Sequence, residues 1–226
     1  MNGTNYKLVI MAAGRGERLM PLTNTTPKPL LPINSEQCLI DKIIDGAIES
    51  SIIEDIYVTV GYKKDEIISH LSKYKDIKII DTSNKSNVWW IFNTDLAKTS
   101  SPIIITTADI LCNINYDDII KDYNKLNRPI GMLVPTPSIP EVEGDYLIGF
   151  NNKITDISRS TESEYYASGI QVIDTTKINM ICKPQDNFNS FWQLLISDNN
   201  LYYSNIILHN WFSVDTIDNY NKIKKL

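Results

Sequence analysis

Residues 8–23 read Leu-Val-Ile-Met-Ala-Ala-Gly-Arg-Gly-Glu-Arg-Leu-Met-Pro-Leu-Thr, an apolar run that leads directly into a basic loop of small residues. Residues 8–11 are typical of a short buried strand. The glycines and alanines after it let backbone N–H groups approach a ligand closely, and a glycine turn presents several N–H groups to phosphate oxygens at once. Arg15, Arg18 and, further on, Lys28 add local positive charge. The stretch therefore predicts a strand followed by an anion-binding loop.

Further along the chain, strand-like runs alternate with amphipathic segments. Apolar residues recur at helical spacing over residues 38–51, and the pattern predicts further strands at 56–60, 77–81 and 102–108, with helices at 65–74 and 116–126. Such alternation indicates a largely parallel sheet covered by helices.

From about residue 131 the pattern changes to short strand-like pieces separated by turn residues. These pieces lie at 131–135, 146–150, 154–158 and 168–173, and a strand at 211–214 and a helix at 217–225 follow. We predict one α/β domain over residues 1–226 that contains a partly antiparallel, β-rich subregion at 131–173.

Composition limits the functions open to this chain. With 226 residues and 42% hydrophobic residues, it has enough apolar surface for a globular core. The net charge of −5 argues against nonspecific nucleic-acid binding, so any anionic ligand needs locally concentrated positive charge or a metal ion.

No apolar run approaches the roughly 18 residues of a membrane span, and no signal peptide is evident. Three cysteines without a C-x-x-C pair indicate neither zinc nor disulfides. We expect a cytoplasmic protein that binds neither nucleic acid nor membrane, and a homo-oligomer stays open.

Two familiar glycine motifs do not fit the loop. A Walker loop requires G-K-[ST] after its second glycine, and that triplet is absent from the segment. A dinucleotide fingerprint requires a third glycine where Leu19 stands. A nicotinamide cofactor is therefore not expected.

The loop resembles the signature of a known family. G-R-G-E-R-L-M-P-L-T at 14–23 and P-K-P-L-L-P at 27–32 are similar to the signature of the nucleotidylyltransferases that activate sugar 1-phosphates and phosphocholine. The resemblance implies a three-layer, Rossmann-like fold with a mixed, mostly parallel sheet, helices on both faces and a small β-rich acceptor-side insertion. It implies Arg18 and Lys28 as catalytic, charge-stabilising residues. It also implies a set of nucleotide-binding residues: Ala12, Ala13, Gly14, Arg15 and Gly16.

Two aspartates are candidate metal ligands. Asp109 follows the strand at 102–108, and a hard cation such as Mg²⁺ commonly takes one or two carboxylates together with substrate phosphates. Taken alone, Asp109 fits a turn or helix N-cap equally well. The resemblance implies that Asp109 and Asp215 hold Mg²⁺ and that Asp218 serves the first turn of the closing helix. For Asp215 the alternative is a helix N-cap. Many sugar-1-phosphate members carry the carboxylate where this chain has Ser213.

A related glycosyltransferase architecture binds magnesium through Asp-x-Asp at a strand end. Here Thr107 occupies the first of those positions, which argues against that class.

The residues that would select nucleotide and acceptor are less distinctive. Asn87-Val88 at a helix start, and Gly61-Tyr62-Lys63, resemble the phosphocholine branch, which implies CTP. Asn87 is therefore a candidate base contact, with an N-cap as the alternative. On the acceptor side the resemblance implies Arg159, Tyr166 and Gly169.

The expected activity is Mg²⁺-dependent transfer of a nucleoside monophosphate from a nucleoside triphosphate to a phosphorylated small molecule, with release of pyrophosphate. CTP with phosphocholine or a related phosphoalcohol is one interpretation, in support of surface-glycan synthesis. A sugar-1-phosphate nucleotidylyltransferase is the second. A catalytically silent nucleotide-binding module is an alternative of another class. No appended acyltransferase or regulatory domain is expected.

Overall fold

Strands and helices alternate in the N-terminal part of the chain, as the apolar periodicity predicts. The computed structural model describes residues 5–139, 143–181 and 183–224. Its strands are β1 (Tyr6–Met11), β2 (Ile53–Val60), β3 (Ile77–Asp81), β4 (Ile103–Thr107), β5 (Ile110–Leu111), β6 (Gly131–Pro137), β7 (Tyr146–Phe150), β8 (Lys153–Ser158), β9 (Tyr165–Ile173), β10 (Leu201–Tyr203) and β11 (Phe212–Ser213). Its helices are α1 (Leu22–Thr25), α2 (Leu39–Ile48), α3 (Lys64–Leu71), α4 (Trp89–Asn93), α5 (Tyr116–Lys125), α6 (Thr175–Ile181), α7 (Phe188–Ser197) and α8 (Ile217–Ile223). Short 3₁₀ turns occupy Glu17–Leu19, Lys28–Leu30 and Asp95–Lys98.

The chain divides into two compact units. Unit 1 comprises the residues up to 85 together with 106–114 and 210 onwards, and unit 2 comprises 86–105 and 115–209. The region predicted to be β-rich, 131–173, contains β6 to β9 in unit 2; its residues 140–142 lie outside the described residues. The assignment of one domain to residues 1–226 stays a prediction.

Unit 1 is built on parallel strands. β1 runs parallel to β2, with Ile10 opposite Val58, and β2 runs parallel to β3, with Val58 opposite Ile79. Helix α2 buries Leu39 and Ile44 completely. Strands joined by such crossovers are covered on both faces, which explains why residues 8–11 read as a continuous apolar run. The same connection places the loop after β1 at the carboxyl edge of these strands.

A buried carboxylate ties α2 to the end of α3. Asp41, whose side chain is 2% exposed, accepts hydrogen bonds from the backbone N–H of Cys38 at 2.9 Å and the hydroxyl of Tyr74 at 2.8 Å. His70 Nε2 lies 2.7 Å and Lys73 Nζ 2.9 Å from the same carboxylate. Burial alone would raise the pKa of Asp41, but these hydrogen bonds outweigh it and lower the pKa below its usual range. The Lys73 ammonium group therefore compensates the negative charge of the buried Asp41 carboxylate.

The cysteines do not form a reactive pair. Burial and the neighbouring Asp41 raise the pKa of the Cys38 thiol to about 12, and burial raises that of Cys112 to about 12. Both are free thiols. Cys182 lies outside the described residues.

Unit 2 is mainly antiparallel. β9 pairs antiparallel with β6 and with residues 103–105 of β4, while β7 and β8 form a hairpin that turns at Asn151 and Asn152. β10 runs parallel to β6 and antiparallel to β8. The sequence pattern assigned no element to residues 174–210, whereas the structure has α6, α7 and β10 there. None of the helices in the described residues is both long and apolar enough to span a bilayer.

Candidate active site

The loop after β1 turns at Gly16, whose φ is +66°. A side chain is strained at such a φ, and a Cβ atom here would lie 3.1 Å from Cβ of Lys28 and from Cγ2 of Thr23. The Gly16 carbonyl accepts hydrogen bonds from the Thr23 hydroxyl at 2.9 Å and the Leu19 N–H at 3.0 Å. Leu19 is fully buried in the unit 1 core. These hydrogen bonds and the burial of Leu19 therefore hold the loop in place.

The start of the loop is occupied by contacts within the protein. Ala12 is 2% exposed, and its N–H lies 3.2 Å from both the carbonyl and the hydroxyl oxygen of Thr59. The Ala13 carbonyl accepts the Tyr62 N–H at 3.1 Å. Ala12 thus anchors the loop to β2, and its role toward a nucleotide stays a prediction.

Lys28 is the central cation of the site. Its side chain is 11% exposed, and Nζ lies 2.7 Å from Oδ2 of Asp109 and 2.8 Å from Oδ1 of Asp215. Burial alone would lower the pKa of this ammonium group, but the two carboxylates outweigh that effect and raise the pKa above its usual value. Lys28 is therefore held in its charged form between two acidic side chains.

Strand pairing brings the two carboxylates together. Asp109 lies in the turn between β4 and β5, and Asp215 follows β11. β5 and β11 pair antiparallel, and the Val214 N–H donates to the Asp109 carbonyl at 2.9 Å. The Ala108 N–H donates to the Met11 carbonyl at 3.0 Å, which places Asp109 beside the end of β1. Residues distant in sequence thus meet at the loop.

Arg18 and Ser213 complete the surroundings of Asp215. An Arg18 guanidinium nitrogen lies 3.2 Å from Oδ1 of Asp215, and the Ser213 hydroxyl donates a short hydrogen bond to Oδ2. Burial raises the pKa of Asp215, but Lys28, the Ser213 hydroxyl and Arg18 together lower it below its usual value. Ser213 thus orients Asp215, a role that sequence analysis missed because it treated this serine only as a departure from a carboxylate.

These groups line one cavity within unit 1, of about 460 Å³. The lining residues are Gly14, Arg15, Gly16, Glu17, Arg18, Lys28, Asp109 and Asp215. Lys28 and Asp109, which would have to share one triphosphate, therefore share one cavity. The cationic and acidic side chains of the lining balance, so a bound polyanion would need further positive charge.

The carboxylates form a suitable donor set for a hard cation. Oxygens of Asp109 and Asp215 converge on one point, the Nζ atom of Lys28. Carboxylate oxygens are the protein ligands that Mg²⁺ prefers. Neither aspartate is a helix N-cap, because Thr216 caps α8 and Asn115 caps α5, whereas Asp109 does lie in a turn, the other alternative for it. Asp218 lies in the first turn of α8, as expected.

The other predicted site residues lie in unit 2. Asn87 is exposed, and its N-cap alternative is wrong because Val88 precedes the first residue of α4. The Arg159 side chain is 82% exposed and its Nε lies 2.8 Å from Oδ1 of Asp145. Tyr166 is 1% exposed and its hydroxyl donates to the Ile139 carbonyl at 3.2 Å.

Gly169 lies in β9 with a φ of +87°. Binding of the base by Asn87, and of the acceptor by Arg159, Tyr166 and Gly169, stays a prediction.

A family model described as nucleotidyl transferase matches residues 7–225. The chain belongs to the nucleotidyl transferase family. The family relationship predicted from the loop is thereby confirmed, and the nucleotidyl transferase site is expected at the cavity that this loop lines.

Curated relatives of this chain differ in their substrates. It is 30% identical over 113 residues to the 2-aminoethylphosphonate cytidylyltransferase of Lancefieldella rimae, which covers 49% of this chain and 45% of that protein. It is 27% identical over 138 residues to the mannose-1-phosphate guanyltransferase of Emericella nidulans, which covers 58% of this chain and 37% of that protein. The chain spans less than half the length of these relatives.

A solved structure shares the fold of this chain. A putative glucose-1-phosphate thymidylyltransferase from Bacillus anthracis, solved in complex with a sucrose, superposes with a TM-score of 0.79 at 17% identity. The match covers 97% of this chain and 94% of that chain. The predicted α/β fold class is therefore confirmed.

Proposed function

We propose that this protein transfers a cytidylyl group from CTP to a small phosphorylated alcohol such as phosphocholine and releases pyrophosphate. The observation that carries the proposal is the position of the Lys28 ammonium group between Asp109 and Asp215. It lies in the cavity lined by the loop between β1 and α1, residues 12–21, which we call the signature loop. Family membership supports the reaction class.

The reaction needs no covalent enzyme intermediate. An acceptor phosphate oxygen attacks the α-phosphorus of the triphosphate in line, a new P–O bond forms, and the bond from the α-phosphorus to the bridging oxygen of the β-phosphate breaks. The bonding electrons leave with pyrophosphate. Because both reactants are polyanions, the chief task of the protein is to bring them together and to stabilise the leaving charge.

The cavity supplies three cationic side chains for this task. Lys28 and Arg18 would neutralise the triphosphate, and Arg15 would add a third cation; the Arg15 and Arg18 side chains are each 58% exposed. The N–H groups near Gly14 and Gly16 would bind phosphate oxygens.

Asp109 and Asp215 would hold a magnesium ion. The Lys28 ammonium group occupies the point on which their oxygens converge, so the ion would bind there only once Lys28 contacts the triphosphate instead. The balanced charge of the lining leaves the triphosphate in need of a divalent cation. When bound, Mg²⁺ supplies positive charge to the phosphates. Lys28, the Ser213 hydroxyl and Arg18 together lower the pKa of Asp215, which favours the charged form that a metal ion would need.

Two observations favour CTP and a phosphoalcohol. The segments Asn87-Val88 and Gly61-Tyr62-Lys63 resemble the phosphocholine branch, and the Lancefieldella rimae relative is a cytidylyltransferase. The acceptor in that relative's name, 2-aminoethylphosphonate, combines an amine with a phosphonate, much as phosphocholine combines a quaternary amine with a phosphate. Arg159, Tyr166 and Gly169 are the proposed acceptor-side residues. A role in surface-glycan synthesis belongs to this proposal.

A sugar-1-phosphate nucleotidylyltransferase is the second candidate. It is favoured by the Emericella nidulans relative, whose name specifies mannose 1-phosphate. The same loop, Lys28 and carboxylates would serve either acceptor.

A pyrophosphate-release panel tests both candidates. CTP, UTP, GTP, ATP and dTTP are each combined with phosphocholine, 2-aminoethylphosphonate, glucose 1-phosphate and mannose 1-phosphate at saturating Mg²⁺. We expect the highest kcat/KM for CTP with phosphocholine. A higher value for a sugar 1-phosphate would replace the first candidate by the second. Absence of turnover with every pair would contradict both and favour a catalytically silent nucleotide-binding module.

A further inference from the structure

The turn after β2 holds both ends of the signature loop. The Tyr62 N–H donates to the Ala13 carbonyl at 3.1 Å, and the Tyr62 hydroxyl donates to the Thr23 carbonyl at 3.0 Å. Ala13 lies at the start of the loop and Thr23 in α1 beyond it. Tyr62, which lies outside the loop, thus forms hydrogen bonds to the backbone at both ends of the loop.

The neighbours of Tyr62 strengthen this connection. Lys63 Nζ donates to the Thr25 carbonyl at 2.9 Å and pairs with Glu66 at 2.7 Å. A Cβ atom on Gly61 would lie 3.0 Å from the Ala13 carbonyl oxygen, so the turn approaches the loop as closely as a glycine allows. Gly61, Tyr62 and Lys63, which we call the clamp turn, therefore pack against the back of the loop.

The ring of Tyr62 also contacts a cavity residue. The guanidinium carbon of Arg15 lies 5.6 Å from the centroid of the Tyr62 ring, within the range of a cation–π interaction. Among the described residues, Arg15 also forms a long ion pair with Glu17, at 3.7 Å. Since the Arg15 side chain is 58% exposed, the Tyr62 ring is one of the few restraints on where its charge lies.

We propose that Tyr62 is a positioning residue that sets the affinity for the nucleoside triphosphate by holding Arg15 and the loop in their binding arrangement. The inference rests on the proposed function, since it requires that the cavity binds a triphosphate. Tyr62 does not touch the cavity lining's carboxylates and is no part of the chemical step. It acts because a loop that is already ordered loses less conformational entropy when the ligand binds.

Paired variants separate the two contacts of Tyr62. Tyr62→Phe removes the hydrogen bond to Thr23 and keeps the ring, while Tyr62→Leu removes both. The matched control is Tyr57→Leu. Tyr57 lies in β2, the strand that leads into the clamp turn, and does not line the cavity. Its ring forms a cation–π contact with Lys78, whose Nζ lies 5.2 Å from the ring centroid. Dissociation constants for CTP and for a non-hydrolysable analogue are measured by calorimetry with Mg²⁺, alongside kcat and KM.

We expect Tyr62→Phe to weaken triphosphate binding about threefold and Tyr62→Leu about tenfold, with smaller changes in kcat. Tyr57→Leu should leave the dissociation constant unchanged. In a double-mutant cycle with Arg15→Ala, the effect of Tyr62→Leu should shrink, because the ring then has no cation to hold. A purely structural role of Tyr62 would give additive effects.

The outcomes distinguish this inference from the proposed function. If the wild-type protein binds triphosphate and Tyr62→Leu binds it equally well, or the cycle with Arg15 is additive, the inference fails and the proposed function stands. If the wild-type protein binds none of the five triphosphates, both fail. Should Tyr62→Leu not fold, Tyr62→Phe with unchanged affinity would overturn the role of the hydroxyl, and Arg15→Ala with unchanged affinity would overturn that of the ring.

Discussion

The ammonium nitrogen of Lys28 lies 2.7 Å from a carboxylate oxygen of Asp109, although 81 residues separate them in the chain. Lys28 sits in a 3₁₀ turn between two prolines, and Asp109 ends the turn out of β4. Both groups face the cavity that the signature loop lines. Because Lys28 compensates two carboxylates and lines the same cavity as the loop, we expect it to be central to any reaction at this site.

Replacing Lys28 should impair catalysis more than folding. We expect Lys28→Ala to lose at least tenfold, and up to about 10³-fold, in kcat/KM, because a fixed charge at the reacting phosphates is lost. Steady-state pyrophosphate release measures the loss, and circular dichroism checks the fold. Lys125→Ala, an exposed residue of α5, is the control and should behave as wild type. Near-normal turnover of the Lys28 variant would refute its assignment.

Asp109→Asn should abolish Mg²⁺-dependent pyrophosphate release. An amide offers one neutral oxygen in place of a charged carboxylate, which weakens the binding of a hard cation. Titration with Mn²⁺, followed by electron paramagnetic resonance, reports the loss directly. Asp76→Asn is a suitable control, because Asp76 is 82% exposed and its φ of +63° suits asparagine. Retention of activity at ordinary Mg²⁺ concentrations would count against the proposed metal site.

Ser213→Ala should shift the pH dependence of the reaction. The hydroxyl lowers the pKa of Asp215, so its removal raises that pKa, and a higher pH is then needed to ionise the carboxylate. We expect the acid limb of the kcat/KM profile to move to higher pH. Ser72→Ala, which removes an exposed hydroxyl at the end of α3, should leave the profile in place. An unmoved acid limb in the Ser213 variant would show that this hydrogen bond does not tune Asp215.

Asp41→Asn should destabilise unit 1 by about 2 to 4 kcal/mol at neutral pH, because a buried, multiply hydrogen-bonded charge facing Lys73 is lost. The folded-state pKa of Asp41 is lowered, so its contribution is fully present above the unfolded-state pKa of about 4 and is lost as the pH falls through the folded-state pKa. Urea unfolding at pH values from 7 downwards measures this. The variant should therefore lose less stability than the wild type on acidification, and equal slopes would contradict the assignment.

The sequence predicted the fold best where the structure depends on residues that are adjacent in the chain. β1 and the loop are contiguous, so an apolar run followed by small and basic residues predicts both. The meeting of Asp109 with Asp215 required the family resemblance, because the β5–β11 pairing that joins them involves only two residues on each strand. Strands of two residues are too short to show an alternating apolar pattern in the sequence.

Other parts of the structure were beyond pattern reasoning or were overlooked. The hydrogen bond from Ser213 depends on tertiary placement, and no spacing rule predicts it. Helix α4 starts after Asn87 rather than at it, because Val88 and Trp90 are both fully buried and set where the turn begins. Helix α7 had a usable signal, since its buried residues recur at helical spacing: Phe188, Phe191 and Leu195.

Because β11 supplies Asp215, a polypeptide emerging from the ribosome carries an incomplete site for much of its synthesis. When residues up to 114 have left the exit tunnel, the loop, Lys28 and Asp109 are present, but the second acid arrives only with the strand at 212–213. The core beneath the loop is incomplete for just as long, because Leu19 packs there with Val214, Tyr220 and Ile223.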